Sequence, residues 1–103
     1  MSLTFVQGDT APAIRATITH DSDGSVVNLT DAIVRFQMRK GDDRRFTVNS
    51  IASVTSALAG TVSYDWGAND LAIPGTYQVQ WEVTYQDARI QTTSPSEITV
   101  RRQ

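Results

Sequence analysis

Hydrophobic and polar residues alternate along most of the chain, in short runs that end at turn-forming residues. The pattern is clearest in two neighbouring runs, whose apolar positions are Val62, Tyr64 and Trp66 in the first and Tyr77, Val79, Trp81, Val83 and Tyr85 in the second. A period of two is typical of a strand that buries one face. The pattern therefore predicts two strands that contribute to a common core.

Seven further segments have strand-like patterns. They span residues 3–7, 13–20, 26–29, 32–40, 46–54, 90–93 and 97–101. In the segment 32–40, Val34, Phe36 and Met38 fall on the apolar face, whereas Arg35 and Arg39 fall on the polar one. Turn signals recur about every 8 to 12 residues, a spacing typical of all-β sandwiches.

The segment 46–54 has a less regular pattern than the others. Ile51 interrupts the alternation that Phe46 and Val48 begin, and a β-bulge would account for the interruption. A short helix with Ile51, Val54 and Leu58 on one face is the alternative. The content of Val, Thr and Ser favours the strand.

Turn and break residues separate these segments. Pro12 and Pro95 cannot donate to a ladder, so they predict a kink after the first strand and a break before the last. The sequence Asp21-Ser22-Asp23-Gly24 predicts a tight hairpin turn, and Gly41-Asp42-Asp43 predicts another.

A corner precedes the second of the two clearest strands. Asp70 is followed by Pro74 and Gly75, and Tyr77 then opens the strand. This order is typical of a tyrosine corner, in which the tyrosine hydroxyl bonds back to the preceding loop. We therefore predict an all-β chain: an immunoglobulin-like β-sandwich of two antiparallel sheets with about seven to nine short strands. Residues 1–103 are expected to form one domain, close to the usual size of such a sandwich.

The large aromatic residues have two interpretations. Phe36, Trp66 and Trp81 lie in the inward phase of their strands, which predicts that they belong to the core. Trp66 stands at a strand end, however, and an exposed indole there, with Tyr64 and Tyr85, would suit a carbohydrate-binding or surface-adhesion module. Both interpretations stay open at this point.

Composition narrows the functional classes. The chain of 103 residues has no Cys and a net charge of −2, so a disulfide is impossible and no nucleic-acid partner is expected. No signal peptide and no apolar run long enough for a membrane span are present, so we expect synthesis in the cytoplasm and no membrane partner.

The residues offer little catalytic chemistry. His20 is the only histidine, too few for a zinc site or a catalytic triad. Asp9, Asp65 and Asp70 fall at turns, where carboxylates usually cap backbone N–H groups. We therefore expect no enzyme activity, no cofactor, no metal and no small-molecule substrate.

Arginines gather around one hairpin. Arg35 and Arg39 fall in the segment 32–40, and Arg44 and Arg45 fall in the turn that joins it to the segment 46–54. A solvated strand face is the favoured interpretation of this group. A protein-docking patch is the alternative.

The ordered motifs of the chain resemble a known family. They are Phe5-Val6-Gln7-Gly8-Asp9-Thr10-Ala11-Pro12, Val27-Asn28-Leu29-Thr30-Asp31-Ala32, Gly60-Thr61-Val62-Ser63-Tyr64-Asp65-Trp66 and Pro74-Gly75-Thr76-Tyr77. In this order they resemble the amino-terminal immunoglobulin-like domain of phage baseplate upper proteins. The resemblance implies a non-catalytic virion protein of the tail or baseplate whose partners are other phage virion proteins. Assembly of several copies into a homo-oligomer is also possible on this resemblance.

Overall fold

The computed structural model describes residues 3–11, 13–20, 23–41 and 43–103. Within them the chain forms nine strands: β1 (Leu3–Val6), β2 (Ile14–Thr17), β3 (Ile33–Lys40), β4 (Phe46–Ile51), β5 (Ser53–Ser56), β6 (Thr61–Tyr64), β7 (Gly75–Thr84), β8 (Ile90–Thr92) and β9 (Ser96–Arg101). The all-β prediction is confirmed. The predicted kink at Pro12 and the turn residues Asp21, Ser22 and Asp42 lie outside the described residues.

The larger sheet has six strands and is built around β7. Its order is β1-β9-β7-β3-β4, and β8 also pairs with β7. On one side β7 pairs with the whole length of β3, and on the other it pairs with β9 along its first half and with β8 along its second. The two sheets are mostly antiparallel, as predicted, and β1, which runs parallel to β9, is the exception among the strand pairs of the described residues. Since these two strands come from opposite ends of the chain, no hairpin turn dictates their relative direction.

The break between β8 and β9 falls where Pro95 predicts it. The Thr93 N–H donates to the Trp81 carbonyl at 2.9 Å, and the Trp81 N–H donates to the Thr93 hydroxyl oxygen at 3.0 Å. The hydroxyl thus accepts a bond that a main-chain carbonyl accepts in a regular ladder. Pro95 has no N–H to continue the ladder, and β9 begins at Ser96.

The smaller sheet has three strands in the order β2-β6-β5. The chain reaches it from the larger sheet at Ala52, which lies between β4 and β5 and whose N–H donates to the Val34 carbonyl at 2.8 Å. A strand pair thus replaces the short helix considered as the alternative for this region.

A bulge is present in β4, but at a different place from the one that Ile51 predicts. Met38 pairs with Val48 and Arg39 with Phe46, so Thr47 is the extra residue. Ile51 follows the alternation of β4 after this bulge and is 64% exposed on the outer face. Its apolar character, rather than a change of phase, makes the sequence pattern look irregular.

The predicted strand over residues 26–29 is wrong in its extent. Only Val26 pairs in strand fashion, as an isolated bridge to Thr19. The Val27 N–H donates to the Ile18 carbonyl, whereas the Leu29 N–H donates to the Ala57 carbonyl. Because the segment changes partner within two residues, a continuous ladder cannot form.

The core lies between the two sheets, with Phe36 near its centre. The Phe36 ring stacks on Tyr64 with 4.7 Å between centroids, and it contacts the indoles of Trp66 at 5.5 Å and Trp81 at 5.0 Å. Offset and edge-to-face contacts of this kind stabilise a core beyond the burial of area. The inner face of the larger sheet is thereby fixed, and its other face is left for solvent or a partner.

Candidate docking surface

The outer face of the larger sheet carries the polar residues of β3 and β7, because successive side chains of a strand point to opposite sides. The pairing register places Arg35 beside Glu82, Gln37 beside Gln80, and Arg39 beside Gln78. These six side chains, together with Asn49 of β4, are here called the outer face. Two of the four predicted docking residues, Arg35 and Arg39, therefore lie on it.

A row of amide side chains crosses the middle of the outer face. The Gln80 side-chain N–H donates to the Gln37 Oε1 at 2.8 Å, and the Gln37 Nε2 lies 3.5 Å from the Asn49 Oδ1 and 3.4 Å from the Glu82 Oε2. Gln37 is only 5% exposed, although it points away from the core. Hydrogen bonds from both sides hold it in place, so the centre of the outer face is ordered before any partner arrives.

Arg35 and Arg39 flank this amide row and are half-buried. In the part of the chain that the structure describes, the one ion pair joins Arg89 to Asp87, at 2.7 Å. The guanidinium groups of Arg35 and Arg39 therefore make no ion pair with the described carboxylates. Each guanidinium carries a planar set of donors that no described carboxylate pairs with.

Arg44 and Arg45 lie apart from the outer face, in the turn between β3 and β4, and both are exposed. The Arg45 N–H donates to the Asp43 Oδ1 at 3.0 Å, which orders the backbone of the turn and leaves both side chains in solvent. The four predicted docking residues thus form two pairs, one on the sheet and one at the end of the hairpin.

Exposed isoleucines border the outer face. Ile33 and Ile90 pair with Thr84 from opposite sides, and Ile51 pairs with Arg35. Their exposed fractions are 55%, 64% and 64%. Aliphatic side chains beside arginines match the make-up of protein–protein interfaces better than that of an ordinary solvated strand face. The sequence analysis did not identify these isoleucines as part of a surface. The signal that could have identified them is an apolar residue in the polar phase of its strand.

Both indoles are buried, Trp66 at 5% exposed and Trp81 at 6%. Neither presents a flat face to a sugar ring. Tyr85 is half-buried, its hydroxyl bonds to the Gln91 Oε1 at 2.7 Å, and the Arg89 guanidinium lies 5.8 Å from its ring centroid. Tyr64 is also half-buried, and its ring stacks on Phe36. Trp66, Tyr64 and Tyr85, which the carbohydrate interpretation requires, therefore do not form an exposed platform.

The loop between β6 and β7 is ordered by a carboxylate. The Asp70 Oδ2 accepts the Tyr64 hydroxyl at 2.5 Å and the Gly67 N–H at 2.7 Å. Burial, and then the hydrogen bond to Asp70, raise the pKa of Tyr64 to about 12. Asp70 thus ties the loop to the end of β6.

The next part of the corner closes on Tyr77. Its hydroxyl donates to the Ile73 carbonyl at 2.7 Å, and burial raises the pKa of this hydroxyl. Pro74 lies between these two residues, and Gly75 begins β7 with a φ of +150°, where a Cβ would stand 3.1 Å from the Lys40 Cε. Through these contacts Asp70, Tyr77 and Gly75 hold the loop and the start of β7 in place.

The described residues contain no group of three or more His, Cys, Asp or Glu side chains arranged to hold a metal ion. They also include no helix long and apolar enough to cross a membrane. Of the candidate sites among the described residues, the outer face has the most developed geometry.

Comparison with known proteins agrees with the fold and adds a family. The family model described as the BppU N-terminal domain matches residues 2–100. The crystal structure of CopC from Methylosinus trichosporium OB3b is similar, with a TM-score of 0.54 and 15% identity over 98% of this chain and 86% of that one. At this identity the likeness concerns the fold alone. No curated protein matches the chain.

Proposed function

We propose that this chain, which belongs to the family of the BppU N-terminal domain of phage baseplate upper proteins, docks onto other virion proteins through its outer face. The family is one of baseplate structural proteins, and it supports a structural role in the virion tail. In this proposal the chain is non-catalytic, is made in the host cytoplasm and is incorporated into the baseplate with its partners.

The observation that carries the proposal is the combination of order and unsatisfied charge on the outer face. Gln37 is nearly buried in a row of amide hydrogen bonds, and Arg35 and Arg39 flank it without an ion-pair partner among the described residues. A preorganised surface loses little conformational entropy on binding. The guanidinium groups of Arg35 and Arg39 can then bind carboxylates of a partner through bidentate hydrogen bonds.

Charge is unevenly distributed and indicates the chemistry of the partner. The segment 33–51 contains five of the nine Lys and Arg residues of the chain but only two of its eleven acidic residues, although the net charge is −2. An acidic protein surface complements this segment and is attracted to it over a longer range than the contacts themselves. The exposed isoleucines at the border supply apolar area for the same contact.

The proposal is tested by light scattering of the purified chain, alone and with the structural proteins encoded beside it. We expect a stoichiometric complex with at least one of these proteins. A double variant, Arg35→Glu with Arg39→Glu, is expected to weaken that complex at least about a hundred-fold, because it places like charges against an acidic partner. Failure of every neighbouring protein to bind would remove the proposal.

A matched control separates position from net charge. Arg89→Glu with Arg102→Glu changes the charge by the same amount, and both residues are exposed and lie off the outer face. This control is expected to bind as the unmodified chain does. Equal weakening by the two double variants would mean that overall charge, and not the outer face, governs binding.

A further inference from the structure

The two sheets of the sandwich differ in width. The larger has five strands abreast and the smaller has three. With neighbouring strands about 4.8 Å apart, the smaller sheet is narrower by roughly 10 Å. Part of the inner surface of the larger sheet is therefore left without a strand above it, beside β2, which has only one neighbour in its sheet.

A groove occupies this position. One part of it is a cavity of about 150 Å³ whose lining includes the polar connection between β8 and β9 and six apolar residues, Leu3, Ile14, Ala16, Val79, Trp81 and Ile98. An adjoining hollow of about 240 Å³ shares Ala16 and Trp81 with it and continues along β2 to Thr19. The groove is thus about as long as a short strand, with an apolar cavity at one end and mostly Thr and Ser side chains along the adjoining hollow.

Leu3 shows that the groove lacks a cover. It pairs with Ile98 in β1 and β9, and Ile98 is 1% exposed on the inner face. Leu3 is in the same inward phase as Phe5 but remains 44% exposed. An inward-pointing leucine that stays in water is unusual for a finished core, because burial would remove its apolar surface from water.

The free edge of β2 supplies hydrogen-bonding groups along the groove. The Ile18 N–H donates to the Gly60 carbonyl at 2.8 Å, and the Ile18 carbonyl accepts the Val27 N–H, so the even-numbered residues here bond toward the β6 side. Because main-chain groups alternate in direction along a strand, those of Arg15 and Thr17 point to the opposite side. Within the described part of the chain, no strand pairs with that side of β2 to accept them.

The two walls of the groove also carry opposite charges. Arg15 lies on the β2 wall and Glu97 on the β9 wall, and both are exposed. Neither makes an ion pair with another described residue. A segment lying in the groove would meet a cation on one side and a carboxylate on the other.

We propose that an extended segment of a partner protein binds in this groove as a fourth strand on the free edge of β2. Main-chain hydrogen bonds to Arg15 and Thr17 would hold the segment, and an apolar side chain at alternate positions would fill the cavity over Trp81. Charge complementarity calls for a carboxylate beside Arg15 and a cation beside Glu97. A second folded copy does not suit the groove, because β9 and β1 project beyond β2 and would collide before two β2 edges met.

The probe is a set of overlapping synthetic peptides that tile the structural proteins encoded beside this chain, a choice that rests on the proposed function. We expect one peptide to bind with 1:1 stoichiometry by calorimetry and to slow hydrogen exchange at the amides of Arg15 and Thr17. A bound peptide that leaves both amides unprotected, or the absence of binding by every peptide, overturns the proposal.

Three variants sharpen the test. Thr17→Pro removes a main-chain donor from the free edge, where strands tolerate proline. It is expected to lower the affinity for the peptide about ten-fold. Ala16→Phe fills the cavity while leaving the main chain intact, and it is expected to lower the affinity for the peptide at least as much. Thr17→Val keeps the donor and should bind normally. If all three variants bind the peptide equally, the groove is not its site.

These outcomes are distinct from those that test the outer face. An intact neighbouring protein that binds Thr17→Pro and Ala16→Phe normally, but not the Arg35→Glu and Arg39→Glu double variant, upholds the proposed function and overturns the groove. Peptide binding that depends on Thr17 and Ala16, without any intact protein binding through the outer face, upholds the groove and overturns docking by that face.

Discussion

The Tyr77 hydroxyl closes the corner between the two sheets with one hydrogen bond to the Ile73 carbonyl. Tyr77→Phe deletes that bond and keeps the buried ring, so we expect the free energy of unfolding to fall by about 1 kcal/mol without a change of fold. Urea denaturation followed by tryptophan emission measures the loss. Tyr85→Phe is the matched control: its hydroxyl bonds the side chain of the half-buried Gln91, which can bond water instead, and its loss is expected to cost less than about 0.5 kcal/mol. Equal costs for both variants would contradict a special role for the corner.

Tyr64 makes stability dependent on alkaline pH. Its pKa is raised to about 12 in the folded chain, mainly by burial and then by the bond to Asp70, against an ordinary value of 10.0. The contribution of the protonated Tyr64 hydroxyl to the free energy of unfolding is therefore fully present below about pH 10. It is lost as the pH rises toward about 12, because Tyr64 loses its proton first in the unfolded chain. Tyr64→Phe should be less stable than the unmodified chain at neutral pH. The difference between their free energies of unfolding should narrow between about pH 10 and about pH 12. Tyr77, whose pKa is also raised by burial, leaves part of the pH dependence in the variant. A gap that is constant from pH 9 to about 12 would refute the coupling.

At the scale of elements, the turn from β5 into β6 packs against Val26 and Val27, which pair with the chain that follows β2. Gly60 has a φ of +67°, and a Cβ there would lie 2.7 Å from the Val26 Cγ1 and 2.8 Å from the Val27 carbonyl oxygen. Gly60→Ala should therefore lower the free energy of unfolding by about 3 kcal/mol, from backbone strain and steric overlap together.

Gly24 offers a control for the strain alone. Its φ is +72°, and a Cβ would meet no atom within 4 Å. Gly24→Ala should cost only about 1 kcal/mol. Thermal denaturation of the two variants side by side isolates the steric part, and a difference near zero would show that the turn moves away from β2 at little cost.

The elements that could be predicted from the sequence are those whose burial alternates. The inward phase of β3, with Val34, Phe36 and Met38, follows directly from the pattern, because each of these side chains is almost completely buried on one face. Residues 26–29 carry a similar apolar pattern without forming a strand. Their main chain bonds two different partners, and a choice of partner is a long-range property that local alternation does not contain.

The outer face could be predicted only in part. Arg35 and Arg39 stand out in the sequence, but the near-complete burial of Gln37 depends on Asn49 and Gln80, which come from neighbouring strands. Register sets such contacts, and register is fixed by the core and by the bulge at Thr47. The groove beside β2 depends on the relative width of two sheets, which no single strand pattern specifies.

For the whole molecule, the two proposed surfaces differ in kind. The outer face offers arginines and exposed isoleucines on the six-stranded sheet, whereas the groove offers main-chain donors and an apolar cavity at the edge of the three-stranded sheet. They lie on different sides of the sandwich, so one partner can be held by a flat contact and by an inserted segment at once. Two linked contacts would raise the overall affinity above that of either contact alone.

Salt concentration separates the two contacts. The screening length shrinks from about 10 Å at 0.1 M salt to about 3 Å at 1 M, so attraction between the arginines and an acidic partner is weakened, whereas hydrogen bonding and apolar burial in the groove persist. We expect the association rate of an intact partner, measured by stopped-flow fluorescence, to fall at least about ten-fold over this range. The affinity of the groove peptide should change less than about two-fold, since only the flanking charges of Arg15 and Glu97 respond. The Arg35→Glu and Arg39→Glu double variant should lose most of the salt dependence of the partner's association, and a slope as steep as that of the unmodified chain would show that the attraction comes from charges elsewhere.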